Sequence, residues 1–392
     1  MIQTTLAQVQ HYILQKNFLT GSKAADLTQL VERLGGLPAA PPTTPYLAAF
    51  ARLDNFTPDH LLAELDETGQ LIKMPLMRDA PYLVTIGQLP LLHAATLRQR
   101  TQALNADFRL WGVESNAEIE QLGQKILDLP LKWPATQQSI SNRLPPDRVA
   151  ELTQTSRGGR VSTTTTVALA LRWLVATGAL GITGQPTDWR TEQPLYAPLA
   201  HGYPHLNLLD LPAEAEAQQA MAKAYLAAFA PATEADISFW TGMSKSETAR
   251  ATGRLSAETT LVMVRGIPGM LTMLKSEADS LQATSPPAGP VIKVLPANDP
   301  FTTAHRASRT RYFTDASLQR RVFNSAGESE PVILVNGQVV GLWRWPTGAQ
   351  PHTVTWQLLA ELGPTVTAQI QTELQRVATF IDPQNSVAQQ PD

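Results

Sequence analysis

The sequence predicts an α+β chain: tandem winged-helix (helix-turn-helix) units followed by a C-terminal β-rich domain. Three observations carry the prediction. Short helical patterns that run into strand- or turn-like segments recur three times before residue 285. The stretch from Thr233 to Leu255 has the order helix, glycine-containing turn, helix. Beyond 281–290, a linker with three prolines and a glycine, the apolar period becomes strand-like, and Asn336-Gly337 divides two β-rich runs.

Taken in order, the first unit begins with helices over 5–15 and 23–34, the second ended by Gly35-Gly36. Tyr46, Leu47, Phe50 and Leu53 share a face of a third helix over 44–53. Thr57-Pro58 gives an N-cap with proline at the first helical position, which opens 58–66. The apolar runs 70–77 and 82–86, split by Arg78-Asp79-Ala80-Pro81, form a hairpin, and helices before a hairpin make a winged-helix order. The second unit starts with a short helix over 147–153 and a turn over 156–160. Thr163 or Thr164 then caps a helix that buries Val167, Leu171, Leu174 and Val175 and stops at Gly178. In the third unit Thr233 caps 234–240, 241–243 turn the chain, Ser244 opens a helix to Leu255, and 258–264 with 270–275 close a hairpin. The last part has strands over 291–295, 331–335, 338–343 and 352–356, then a helix over 365–380. Its tail, 383–392, is polar and expected to fray. These breaks imply four domains: 1–129, 130–230, 231–285 and 286–392.

Composition excludes several classes of function. The chain has 392 residues and no cysteine, which removes disulfides, cysteine-ligated metals and thiol catalysis. With 31 basic and 34 acidic side chains the net charge is −3, so nucleic-acid contact has to come from local patches. The best apolar run, 166–180, contains Arg172 and is shorter than the roughly 20 residues a bilayer requires. No export signal opens the chain, and a cytoplasmic protein is expected.

Local charge points to phosphate. Residues 130–190 carry seven bases against three acids, and 305–321 carry five arginines against Asp315 alone. Arginine suits phosphate because its planar fork donates two parallel hydrogen bonds. Gly158 and Gly159, between Arg157 and Arg160, would let backbone N–H groups approach a phosphate. Each cluster taken alone also fits a solvated face. Other candidates are weaker. His201 and His205 have the spacing of a metal pair, but Gly202 and Pro204 oppose the helix that would align them. Asn298-Asp299-Pro300 offers a carboxylate, although an Asx turn explains it. Ser156 and Ser162 have no histidine partner for nucleophilic chemistry. Trp343 and Trp345 can stack on bases, although aromatic side chains on one face of a hairpin more often fill a core. No metal or cofactor is implied.

The motifs 31–37 (Val-Glu-Arg-Leu-Gly-Gly-Leu), 45–53, 77–84 (Met-Arg-Asp-Ala-Pro-Tyr-Leu-Val), 235–242, 295–301 and 331–344 stand in one order along the chain. Together they resemble the winged-helix DNA-binding family that contains the bacterial alkylpurine and interstrand-crosslink DNA glycosylases. The resemblance implies three winged helices and a β-rich domain around a DNA-sized channel. In the glycosylase members a Gln-x-Gln or Gln-x-Asp motif just after the Leu-Gly-Gly-Leu-like turn positions the water that attacks C1′. Here Pro38 and Ala40 take those two places, and neither can orient water or stabilise an oxocarbenium ion. The expectation is a monomeric, cytoplasmic bacterial protein that binds double-stranded DNA through Arg157, Gly158, Gly159, Arg160, Arg172, Arg306, Arg309 and Arg311, without the family's chemistry. The alternatives are an active DNA glycosylase that uses another residue, such as Asp79, and a protein-interaction scaffold.

Overall fold

A computed structural model describes the chain except residues 66–68, 156–157, 184–187, 192–193, 204–205, 207, 209, 347–351 and 391–392. It is a mixed α+β protein with several separate sheets, and it divides into two compact units, Met1–Thr57 with Gln219–Asp392, and Pro58–Gln218. Among the described residues no helix is long and apolar enough to cross a membrane.

In the discontinuous unit, Thr5 caps the helix Leu6–Lys16 and Asp26 caps Leu27–Arg33, each accepting a backbone N–H that the first turn leaves unpaired. The N-terminal strand Ile2–Thr5, absent from the sequence reading, runs parallel to Thr259–Arg265, which pairs antiparallel with Leu271–Leu274. Glu234–Thr241 and Lys245–Arg254 are joined through Gly242, whose φ of 78° is the left-handed conformation this turn requires. The core beside them is aromatic: Tyr225, Phe229 and Trp240 lie with ring centroids 5.5–6.0 Å apart.

The C-terminal sheet orders Ile292–Leu295, Val332–Val335, Gln338–Arg344, Thr353–Leu358 and Ser386–Gln389. Asn336 and Gly337 turn its central hairpin with φ of 52° and 82°, both positive as a type I′ turn demands. Trp343 is buried and donates from Nε1 to the Leu295 carbonyl at 2.8 Å, a core role. The helix Pro364–Ile381 buries Ile370, Leu374, Val377 and Ile381 along one stripe. The expected frayed tail is corrected: Ser386–Gln389 pairs parallel with Thr353–Leu358, because an open sheet edge accepts even a polar strand through its backbone.

In the continuous unit the hairpin Leu71–Pro75 with Pro81–Thr85 forms as read from sequence. The sheet continues through Leu180–Thr183 and Leu195–Pro198 to Ala135–Thr136. The helices Leu89–Leu110, Asn116–Leu127 and Thr166–Ala176 accompany it, the last capped by Thr165 rather than by Thr163 or Thr164. One expected helix is wrong. Residues 147–153 give only a 3₁₀ turn, Pro146–Arg148, and then the strand Glu151–Thr155, which pairs with Val161–Thr165. Threonine explains the change: Thr153 faces Thr163 and Thr155 faces Val161, cross-strand β-branched pairs that favour a pleated ribbon over a helix.

Candidate nucleic-acid interface

The helices Glu234–Thr241 and Lys245–Arg254 of the discontinuous unit each open on a capping box. Thr233 Oγ1 accepts from the Asp236 N–H while the Asp236 carboxylate accepts from the Thr233 N–H. Ser244 and Glu247 repeat the arrangement at the second helix, at 3.3 and 2.8 Å. The second box has a consequence for charge. It turns Glu247 back toward the helix start, where it is buried. Thr248, Ala251 and Leu255 face inward too, so the opposite face presents Lys245, Ala249, Arg250, Gly253 and Arg254. Glu258, the next acid, is ion-paired with Lys223 at 2.5 Å. The exposed side of this helix is therefore basic.

The hairpin that follows alternates cleanly. Val262 and Val264 point in, while Leu261, Met263 and Arg265 point out, Leu261 at 48% and Met263 at 43% exposure. Lys245, Arg250, Arg254 and Arg265 were not among the residues singled out from sequence. Their signal was present in the Ser244-to-Glu247 box and the inward 248/251/255 spacing. In the sequence they alternate with Glu247 and Glu258, and this dilution keeps them from registering as a charge cluster.

The arginine-rich stretch behaves otherwise. Arg306 is exposed, with its guanidinium 5.0 Å from the Phe239 ring centre. Arg309 and Arg311, expected on DNA, are instead interior, at 8% and 1% exposure. Arg309 donates to the His305 and Gly327 carbonyls and lies 3.7 Å over the Phe323 ring. Arg311 donates twice to the Pro231 carbonyl at 3.1 Å and to Ser308 Oγ at 2.9 Å. The physical reason is hydrogen-bond demand: buried carbonyls need donors, and these guanidiniums satisfy them. The anion this loop does hold is internal, for the N–H groups of Arg306, Ala307 and Ser308 all donate to Asp236 Oδ1 at 2.7–3.2 Å.

His305 lies in the same knot, with Nδ1 2.6 Å from the Tyr312 hydroxyl and Nε2 3.0 Å from the Phe229 carbonyl. Burial, aided by Arg311 and opposed by Asp236, lowers its imidazole well below the usual 6.5. A group whose folded value is depressed contributes stability that is complete above 6.5 and is lost as pH falls below it. Urea unfolding from pH 7 to pH 4 is expected to show falling stability, and His305→Gln to make that fall shallower.

Ala40 opens onto a cleft of about 420 Å³ within the same unit, lined also by Asn298, Arg320, Arg321, Glu328 and Glu330. Pro38 is buried in the short strand Leu37–Pro38. Asn298, held at φ 55°, donates from Nδ2 to the Ala40 carbonyl at 2.8 Å, and its Oδ1 accepts from the Ser329 N–H at 2.9 Å. Asp299 caps Phe301 and pairs with Arg52, which is the backbone-directed role the turn reading gives it, with a buried ion pair added. Glu328 accepts from Asn324 Nδ2 at 2.6 Å, and Glu330 lies 3.9 Å from Arg344.

In the continuous unit, Gly158, Gly159 and Arg160 lie at the exposed turn of the Glu151–Thr155/Val161–Thr165 hairpin, and a Cβ at either glycine would meet open space. Ser156 and Arg157 lie outside the described residues. Arg172 is half-exposed and pairs with Asp107 at 2.6 Å. Asp79 follows Arg78 in the left-handed region (φ 57° and 59°), and burial raises its carboxyl against the pull of Arg172 and Arg100. Ser162 and His201 are exposed, while Pro204 and His205 lie outside the described residues. Among the described residues no group of three potential ligands could hold a metal ion.

Comparison with known proteins adds two findings. Residues 31–380 match the model of a family described as DNA glycosylase AlkZ-like. Among solved structures the chain is similar to Streptomyces sahachiroi DNA glycosylase AlkZ, with 19% identity and a TM-score of 0.72, over 99% of this chain and 100% of that one. Identity that low speaks to the fold. No curated protein matches the chain.

Proposed function

The chain belongs to the AlkZ-like DNA glycosylase family, and from that premise we propose that it binds duplex DNA and has relinquished base excision. The observation that carries the binding half is the exposed Lys245/Arg250/Arg254 helix face beside the Thr259–Arg265 hairpin, read as a winged helix. Tandem winged helices, a role for Gly158, Gly159, Arg160, Arg172 and Arg306 at phosphates, and action as a monomer belong to the same proposal. Arg157, outside the described residues, belongs to the same proposal.

The loss of chemistry is argued from what faces the cleft at Ala40. Hydrolysis of an N-glycosidic bond requires a polar group to orient water and stabilise positive charge on the sugar, each effect worth orders of magnitude. A buried proline and a methyl group supply neither. Asn298 is held by two backbone groups. One observation favours the alternative of an active glycosylase: Glu328 and Glu330 line the same cleft, and either carboxylate is chemically able to take over.

Fluorescence anisotropy with a labelled duplex, with and without an abasic-site analogue, is expected to show binding that weakens linearly in log salt. Alkylated duplex incubated with the protein and then treated with alkali is expected to remain intact. Strand breaks above the protein-free level would instead establish the active-glycosylase reading. Absence of binding even at low salt would leave the winged helices as protein-docking surfaces.

A further inference from the structure

A second cleft of about 400 Å³ in the discontinuous unit gathers Lys23, Lys293 and Arg376 against Phe50, with Asp54 and Glu373 at its edge. Each base comes from a different element. Lys23 precedes the helix Leu27–Arg33, Lys293 is on the first strand of the C-terminal sheet, and Arg376 is on the helix Pro364–Ile381. Nothing local obliges three cations to converge, and bringing them together costs free energy unless an anion answers them.

The acids present answer them only in part. Glu373 is taken up by Arg376 in a two-point pair, at 2.9 and 2.7 Å. Lys23 donates to the Ala51 carbonyl at 2.8 Å, and among the described residues it has no carboxylate within ion-pair distance. Lys293 is half-buried and, among the described residues, makes neither a hydrogen bond nor an ion pair. Burial, with Lys293 and Arg376, pushes the Lys23 amine down to about 8 against the pull of Asp54, and burial lowers Lys293 against the pull of Glu373. Arg376 is already positioned. Its guanidinium lies 4.1 Å over the Phe50 ring, which stacks on Phe380 at 4.0 Å. The result is one fixed planar cation and two lysines with unused donors around an open space large enough for a tetrahedral anion.

We propose that Lys23, Lys293 and Arg376 form a binding site for a phosphate group, separate from the cleft at Ala40 and from the basic helix face. The phosphate would be that of a free nucleotide or of a DNA backbone. The two lysines would meet phosphate oxygens as point charges, with the donors of Arg376 that Glu373 leaves unused as a third contact.

The full chain is tested by thermal unfolding and isothermal titration with inorganic phosphate, with a deoxynucleoside 5′-monophosphate, and with a short duplex. Chloride at equal ionic strength is the control. Phosphate is expected to raise the unfolding midpoint beyond chloride, and Lys293→Met to lower phosphate affinity by about tenfold. The same variant is expected to match or exceed the wild-type midpoint in phosphate-free buffer, since it removes a half-buried charge that burial disfavours. Should Lys293→Met fail to fold, Lys23→Met takes its place with the same two readouts. Affinity lost for the mononucleotide but kept for the duplex assigns the site to a free nucleotide; affinity lost for both assigns it to the DNA backbone. An equal shift in phosphate and chloride, or an unchanged phosphate affinity in the variant, overturns the proposal whether or not the protein binds DNA elsewhere.

Discussion

Asp299→Ala is expected to destabilise the protein by about 3–5 kcal/mol, the largest single-residue effect anticipated outside the aromatic core. Asp299 and Arg52 are both fully buried and meet in a two-point pair, at 2.8 and 2.7 Å. Arg52 also donates to the Asn17 and Ala48 carbonyls, at 2.9 and 3.0 Å, and Asp299 caps the helix Pro300–Thr303 through the Phe301 N–H. Removing the carboxylate leaves a guanidinium in a low-dielectric interior with no counter-charge, and leaves a helix start without its cap. The penalty comes from the orphaned partner more than from the lost attraction. The double variant Arg52→Met/Asp299→Leu is therefore expected to be less destabilised than Asp299→Ala alone. Chemical denaturation of the three proteins decides it. A loss below about 1 kcal/mol for Asp299→Ala would mean that water reaches Arg52 and that the pair is not the anchor between 17–52 and 299 that its geometry indicates.

The same residue shows what could and could not be read from sequence. An aspartate before a proline announces a turn, and it makes one. That its charge is matched by an arginine 247 positions away cannot be seen in either neighbourhood. The features that were legible are local and stereochemical: the Asn336-Gly337 turn, the helix starts at Thr233 and Ser244, and the apolar stripe of the closing helix. The strand Ile2–Thr5 was missed because four residues carry too little periodicity, and its partner Thr259–Arg265 is about 260 positions away. Charge density misled for a related reason. Five arginines in 305–321 look like a phosphate face, but whether a guanidinium meets solvent or a buried carbonyl depends on chain segments the count never includes, here Pro231 and Gly327. The basic face that does reach solvent, on 245–254, was diluted in sequence by Glu247, and only the capping geometry reveals that this acid turns away.

That geometry leads to the prediction with the greatest effect on function. Lys245→Ala/Arg250→Ala/Arg254→Ala is expected to weaken duplex binding at every salt concentration where binding is measurable. The slope of log affinity against log salt should fall by about 2.7, or about 0.9 for each phosphate no longer neutralised. All three side chains are exposed, whereas Thr248, Ala251 and Leu255 on the opposite face hold the helix in place. The triple variant should therefore keep the wild-type unfolding midpoint nearly unchanged, which separates lost contacts from lost structure. A uniform weakening across unrelated duplexes would mark these residues as phosphate contacts. A loss confined to one sequence, or to a bent or abasic duplex, would mean that the helix reads base edges or shape instead. An unaltered slope would move the electrostatic footprint elsewhere, and the exposed turn at Gly158, Gly159 and Arg160 would be the next to vary. The acidic net charge sharpens the test. With an overall charge of −3, the protein as a whole is repelled by DNA at long range, so affinity that responds to three residues has to be carried by a local face.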